Sequence, residues 1–142
     1  SSITMVEHKK GDPAKLAKIL REMDLVESVL VQSFDWDWLE RMHALEPRLA
    51  ITALGGKELT PDQLERVRRT GACMVHWNAR DLKAGDVPRL HELGYLVCIF
   101  TVDDDLSFIG AAAAGIDAIT TNRPGRLKEL VAAGVVRRPA KQ

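Results

Sequence analysis

The sequence predicts an α/β fold built from parallel βα repeats. Three observations carry that prediction. Short β-rich runs recur along the chain, amphipathic stretches of helical period lie between them, and Gly71, Gly94, Gly115 and Gly134 each stand where a helical stretch ends. Several of the β-rich runs are apolar almost throughout, the composition of parallel strands covered on both faces. Glycine is favoured at helix ends because it adopts the left-handed conformation that closes them. These glycines recur at about one helix–strand unit but share no fixed consensus, which favours repeated βα units over a solenoid array.

The elements follow in order. The first strand is read from Ile3 to Glu7. Asp12-Pro13 then offers an N-cap and a first-turn proline. Leu16, Ile19, Leu20 and Met23 continue as the i, i+3, i+4, i+7 stripe of a helix with one buried side. Strands are read at Ser28 to Ser33, Leu49 to Ala53, Cys73 to Trp77, Leu96 to Val102 and Ala118 to Thr121. After the second strand, Asp35 is placed to cap a helix carrying Trp38, Leu39 and Met42. Thr60-Pro61-Asp62-Gln63 is a capping-box pattern, in which the Thr oxygen accepts from the backbone and Gln63 reaches back. Leu64 and Val67 supply that helix's buried side.

A closed eight-stranded βα barrel takes about 200 residues or more, and these runs supply six strands. Left open, such a sheet would expose apolar strand edges. Three arrangements remain: additional N-terminal βα units, pairing with another chain, or an open doubly wound sheet.

With 142 residues and 46% hydrophobic content, the chain has room for one domain with a real core. The formal net charge is zero, so no broad basic surface points to nucleic acid or an anionic membrane. No apolar run approaches the ~20 residues of a membrane span. Ser1-Ser2-Ile3-Thr4 lacks the features of a signal peptide, and a cytoplasmic location is expected. Cys73 and Cys98 lie in apolar runs without the spacing of a secreted framework, and both read as buried free thiols.

In βα folds, ligands bind beyond the carboxyl ends of the strands. The first strand ends in Glu7-His8-Lys9-Lys10, and alternation puts Glu7 and Lys9 on one face and His8 on the other. A carboxylate beside an ammonium could hold a divalent cation and a phosphate oxygen; equally, the two form an ordinary surface ion pair. His76 beside Trp77 reads as a packed or hydrogen-bonded core residue, since no second His or Cys stands at zinc spacing. Asp103-Asp104-Asp105 lacks the alternation and glycine of a calcium loop, and helix capping explains it as well. Arg123 either contacts phosphate or fastens its loop to an acidic neighbour. The G-x-S-x-G elbow, the P-loop and the G-x-G-x-x-G fingerprint are missing from the sequence.

Read together, four segments resemble the C-terminal part of the glycerophosphodiester phosphodiesterase family. Glu7-His8-Lys9 is similar to that family's E-x-K strand, and Gln32-Ser33-Phe34 to its S-F strand end. Gly94 to Asp103 resembles its G-x-x-V-x-x-W-T-V-N segment, with Phe100 for the aromatic Trp and Asp103 for Asn. Ile116 to Pro124 resembles its V-D-G-I-I-T-D-R-P signature.

The resemblance implies part of a TIM (β/α)8 barrel, roughly the C-terminal five or six βα units, with residues 1–142 forming one domain. It implies hydrolysis of glycerophosphodiesters to an alcohol and glycerol 3-phosphate with a divalent metal, Mg²⁺ or Ca²⁺. On these terms Glu7 is a metal ligand, Lys9 stands beside the phosphate and Phe100 lines the substrate cleft. The family's H-R-G strand, E-N pair, E-x-D metal pair and second histidine are absent from this sequence. His43, His76 and His91 lie in no matching motif, so the general acid and base are unassigned and this polypeptide alone is expected to be inactive. Two other readings fit a barrel piece. One is a non-catalytic half-barrel that self-associates as a homo-oligomer. The other is a relative of phospholipase C or spider-type phospholipase D acting on lipids.

Overall fold

The computed structural model describes residues 3–137. Strand and helix alternate without exception through six βα units: β1 (Thr4–Glu7), α1 (Pro13–Glu22), β2 (Val29–Ser33), α2 (Trp36–Leu45), β3 (Ala50–Gly55), α3 (Pro61–Arg69), β4 (Met74–Asn78), α4 (Asp86–Glu92), β5 (Leu96–Phe100), α5 (Asp105–Ala113), β6 (Ala118–Ile119) and α6 (Pro124–Ala132). The chain divides into two compact units. One runs to Gly55 and includes Leu59–Val75; the other comprises Gly56–Glu58 and the chain from His76 onward.

In the first unit, β1, β2 and β3 are neighbours in chain order and parallel. Glu7 is in register with Gln32, and Gln32 with Thr52. All five residues of β2 are buried, as a strand covered on both faces requires. β3 and α2 pack against it, with Ile51, Ala53, Trp38, Leu39 and Met42 buried there, and Val67 of α3 is buried too.

The caps form as the sequence predicts. The Asp35 carboxylate accepts from the Trp38 amide at 2.9 Å. Thr60 and Gln63 close a complete capping box, with bonds of 3.2 and 3.1 Å, and Leu64 and Val67 are buried behind it.

Two expectations are corrected here. The buried face of α1 is Pro13, Ala17 and Leu20, whereas Ile19 and Met23 are 40% and 61% exposed. The helix presents the turn of Pro13 and Ala17 inward, rotated by about 80° from the predicted stripe at 100° per residue, and the small Ala17 allows close approach. Cys73 is an exposed free thiol rather than a buried one.

The second unit carries β5 paired parallel with β6, Cys98 opposite Ala118 and Ile99 opposite Ile119. Trp77, Leu90, Val97 and Phe108 form its fully buried centre. Cys98 is buried as expected, and burial pushes its thiol up to about 11. Gly94, Gly115 and Gly134 have φ of 86°, 80° and 71°, and Gly71 in the first unit has 68°, so all four predicted left-handed turns are present. Among the described residues, no helix is long and apolar enough to cross a membrane.

Candidate active site

In the first unit, polar groups gather where the strands end. Glu7 closes β1, and its carboxylate accepts from the Lys9 ammonium two residues on. The two side chains share a face, as alternation requires. His8 points the other way, toward the helices. Its ring stacks on Trp38 at 3.9 Å between centroids and 9° between planes, and its Nδ1 lies 3.2 Å from Ser33 Oγ. Ser33 Oγ also accepts from the Asp35 amide at 3.0 Å. Trp38 in turn donates from Nε1 to the Gly11 carbonyl at 2.9 Å. Together these contacts tie the end of β1, the end of β2 and the start of α2.

A cleft of about 460 Å³ opens here, walled by residues from Val6 to Asp12 with Leu16 and Trp38. Alongside, the register places Glu7, Gln32 and Thr52 in one polar row across β1, β2 and β3. Gln32 and Thr52 are buried, and Thr52 Oγ1 has no hydrogen-bond partner among the described residues. A parallel strand interior normally reads as a run of Val, Ile and Leu, so this row is a departure at the strand ends.

In the second unit, His76 in β4 is 2% exposed. Its Nε2 lies 3.0 Å from Thr120 Oγ1, and its ring meets Phe100 edge-on, 5.0 Å between centroids at 86°. Phe100 closes β5 and is half-buried. The three following carboxylates all have protein partners. Asp103 accepts from Asn122 Nδ2 at 2.8 Å, the Asn122 amide at 2.7 Å and Thr121 Oγ1 at 3.0 Å. These bonds, the Asn122 side chain first, hold its carboxyl below the usual range. Asp104 caps α5 by accepting from the Ser107 amide at 2.9 Å. Asp105 pairs with Arg126 at 2.6 Å. The acidic run is therefore a set of caps and ties, and Arg123 joins it by donating from Nη1 to the Asp103 carbonyl at 3.0 Å. A second cavity, of about 450 Å³, lies between Val87 of α4 and Ala111 of α5 and is walled by neither Glu7, Lys9 nor Phe100.

A family model for the glycerophosphoryl diester phosphodiesterase family matches residues 3–126. The chain belongs to this family. Solved structures of the glycerophosphodiester phosphodiesterase fold agree with that membership. A protein of Galdieria sulphuraria superposes with a TM-score of 0.81 at 22% identity, covering 92% of this chain and 57% of its own. A phosphodiesterase of Oleispira antarctica, solved with the product sn-glycerol-3-phosphate, gives 0.75 at 19% identity, covering 89% and 53%. A glycerophosphodiester phosphodiesterase of Parabacteroides distasonis gives 0.75 at 20%, covering 94% and 58%. No curated protein matches the sequence. The fold is thus six βα units of a TIM barrel, and the chain spans about half the length of these solved phosphodiesterase structures.

Family membership raises the question of a divalent metal. Among the described residues, no three His, Cys, Asp or Glu side chains converge to hold one. Glu7 is a single carboxylate already paired with Lys9, and Mg²⁺ or Ca²⁺ needs several oxygen ligands. The described residues do not by themselves make a metal site. Reading the sequence also passed over two features of the strand ends. Gln32 is named from the sequence only as part of a strand end, and its row with Thr52 becomes visible once strand register is known; His76 is packed and hydrogen-bonded as expected, but its partner Thr120 lies 44 positions away.

Proposed function

We propose that residues 1–142 are the C-terminal portion of one TIM-barrel domain that hydrolyses glycerophosphodiesters to an alcohol and glycerol 3-phosphate. The observation that carries this reading is the Glu7–Lys9 pair at the carboxyl end of β1, which resembles the family's E-x-K strand. In this reading Lys9 offsets charge building on the phosphate oxygens, because a fixed cation acts most strongly where charge develops in the transition state. Phe100 lines the substrate cleft. Glu7 contributes one ligand to a divalent cation, Mg²⁺ or Ca²⁺, whose Lewis acidity would polarise the phosphoryl group. The other ligands and the general acid and base come from βα units that are not among these six.

The test is release of glycerol 3-phosphate from glycerophosphocholine, with Mg²⁺, with Ca²⁺ and with chelator. The chain alone should release none. The chain joined to the N-terminal βα units of a family barrel should release it, and chelator should stop it. Turnover by the chain alone would overturn the claim of an incomplete site. A folded joined barrel that hydrolyses lipid head groups but not glycerophosphocholine would point instead to a phospholipase-like activity.

A further inference from the structure

His76 is a buried titratable side chain to which the chemistry above gives no role. Strand alternation explains its neighbours. Phe100 lies two residues beyond Cys98 and Thr120 two beyond Ala118, and Cys98 and Ala118 are register partners. Phe100 and Thr120 therefore lie side by side on one face of β5–β6. His76 lies beneath them, bonded to the Thr120 hydroxyl at 3.0 Å and edge-on to the Phe100 ring.

The backbone on either side is already fixed. The Ala79 amide donates to the Phe100 carbonyl at 2.9 Å, the Thr120 amide to Ile99 at 2.8 Å and the Val102 amide to Thr120 at 3.0 Å. These bonds fix the backbone and do not themselves set the torsion of the Phe100 ring. An imidazole is an expensive way to fill a buried position, because its nitrogens need partners that Leu or Val would not. It offers in return a directional aromatic contact and a hydrogen bond that orients its own plane.

We propose that His76 is a positioning residue that holds the Phe100 ring in the orientation it presents at the end of β5, with the Thr120 hydroxyl as the clamp that fixes the imidazole. The proposal deepens the reading of Phe100 as a wall of the substrate cleft and rests on it. The ligand part it would orient is the carbon skeleton of a glycerol phosphate, whose C–H groups pack on an aromatic face.

The informative variants are at Thr120, a residue exposed overall whose hydroxyl reaches the buried His76 and Cys98. Thr120→Val keeps the shape and removes the hydroxyl; Thr120→Ser restores it. With ¹³C-labelled phenylalanine the chain gives three ring systems, and Phe100→Leu assigns the relevant one. Thr120→Val should shift the Phe100 ring signals and leave those of Phe34 and Phe108 in place, while Thr120→Ser keeps the wild-type spectrum. Titration with sn-glycerol 3-phosphate should be about threefold to tenfold weaker in Thr120→Val, the range of one lost hydrogen bond, and recover in Thr120→Ser. Unchanged Phe100 signals in Thr120→Val would overturn the positioning role. Shifted signals with an unchanged, measurable affinity would overturn its link to the ligand. If the wild-type chain and the joined barrel both fail to bind glycerol 3-phosphate, the phosphodiester reading fails, and the ring signals still decide whether His76 positions Phe100.

Discussion

Gly71 gives the sharpest test of how the first unit is packed. It turns the chain from α3 into β4 at φ +68°, and a Cβ added there would lie 2.4 Å from Cγ and Cδ2 of the His43 ring. Gly94 makes the equivalent turn at φ +86° with nothing within 4 Å of an added Cβ. Gly94→Ala therefore isolates the backbone cost, about 1–2 kcal/mol for an L-residue held in the left-handed region. Gly71→Ala carries the same cost plus overpacking of about 1–3 kcal/mol, for a total of about 2–5 kcal/mol. Urea unfolding measures both, read as midpoint shifts at constant m-value. The double variant Gly71→Ala/His43→Ala should cost at least about 1 kcal/mol less than the sum of its singles, because the clashing ring is gone. Equal midpoints for Gly71→Ala and Gly94→Ala would refute the reasoning, since His43 would then be free to swing away.

Two other predictions concern the charged groups. As an exposed ion pair, Glu7–Lys9 is worth about 0–1 kcal/mol, so Glu7→Gln and Lys9→Met should both melt within a few degrees of wild type. If the pair is part of the active site, each variant of the joined barrel should lose about 100-fold or more in kcat/KM for glycerophosphocholine; intact turnover would reduce the pair to a surface contact. Acid sensitivity follows from the carboxylates that are held low: Glu46 by its bond to Arg21, Asp103 by Asn122, Asp104 by Ser107 and Asp105 by Arg126. A folded pKa below the ordinary 4.5 or 3.8 means stability fully present above those values and lost as pH falls through the lowered ones. The melting temperature should therefore hold steady well above pH 4.5 and fall below it, less steeply in Asp103→Asn; a flat profile into strong acid would sink this account.

Local chemistry made most of the fold legible, and non-local pairing hid the rest. Asp35, the Thr60–Gln63 box and the four left-handed glycines act within a few residues of themselves, so the pattern alone locates them. The face of α1 failed because two stripes about 80° apart were both apolar, and only the packing partner chooses between them. Cys73 failed because an apolar run was taken for a buried one at a strand's first residues. At the candidate site, the shared face of Glu7 and Lys9 follows from alternation within one strand. The row from Glu7 through Gln32 to Thr52 depends on register, and the clamp on Phe100 depends on residues from β4, β5 and the segment just after β6.

The end of β1 shows how packing on the helix side sets chemistry on the other. Among the described strands β1 pairs only with β2; Ile3 just before it and Met5 on it are 73% and 42% exposed. A strand tied along one side would hold its last residues loosely. His8 counters this: it sits between Glu7 and Lys9 in sequence, and its ring is stacked on Trp38 and bonded to Ser33. Trp38 is itself 2% exposed and anchored to Gly11. The backbone that carries Glu7 and Lys9 is thus held by the residue that faces away from them. The His8 Nε2 is buried with no hydrogen-bond partner among the described residues. The stack orients the strand end, and the cost of the unpaired Nε2 is borne by a contact that a smaller apolar residue could not make.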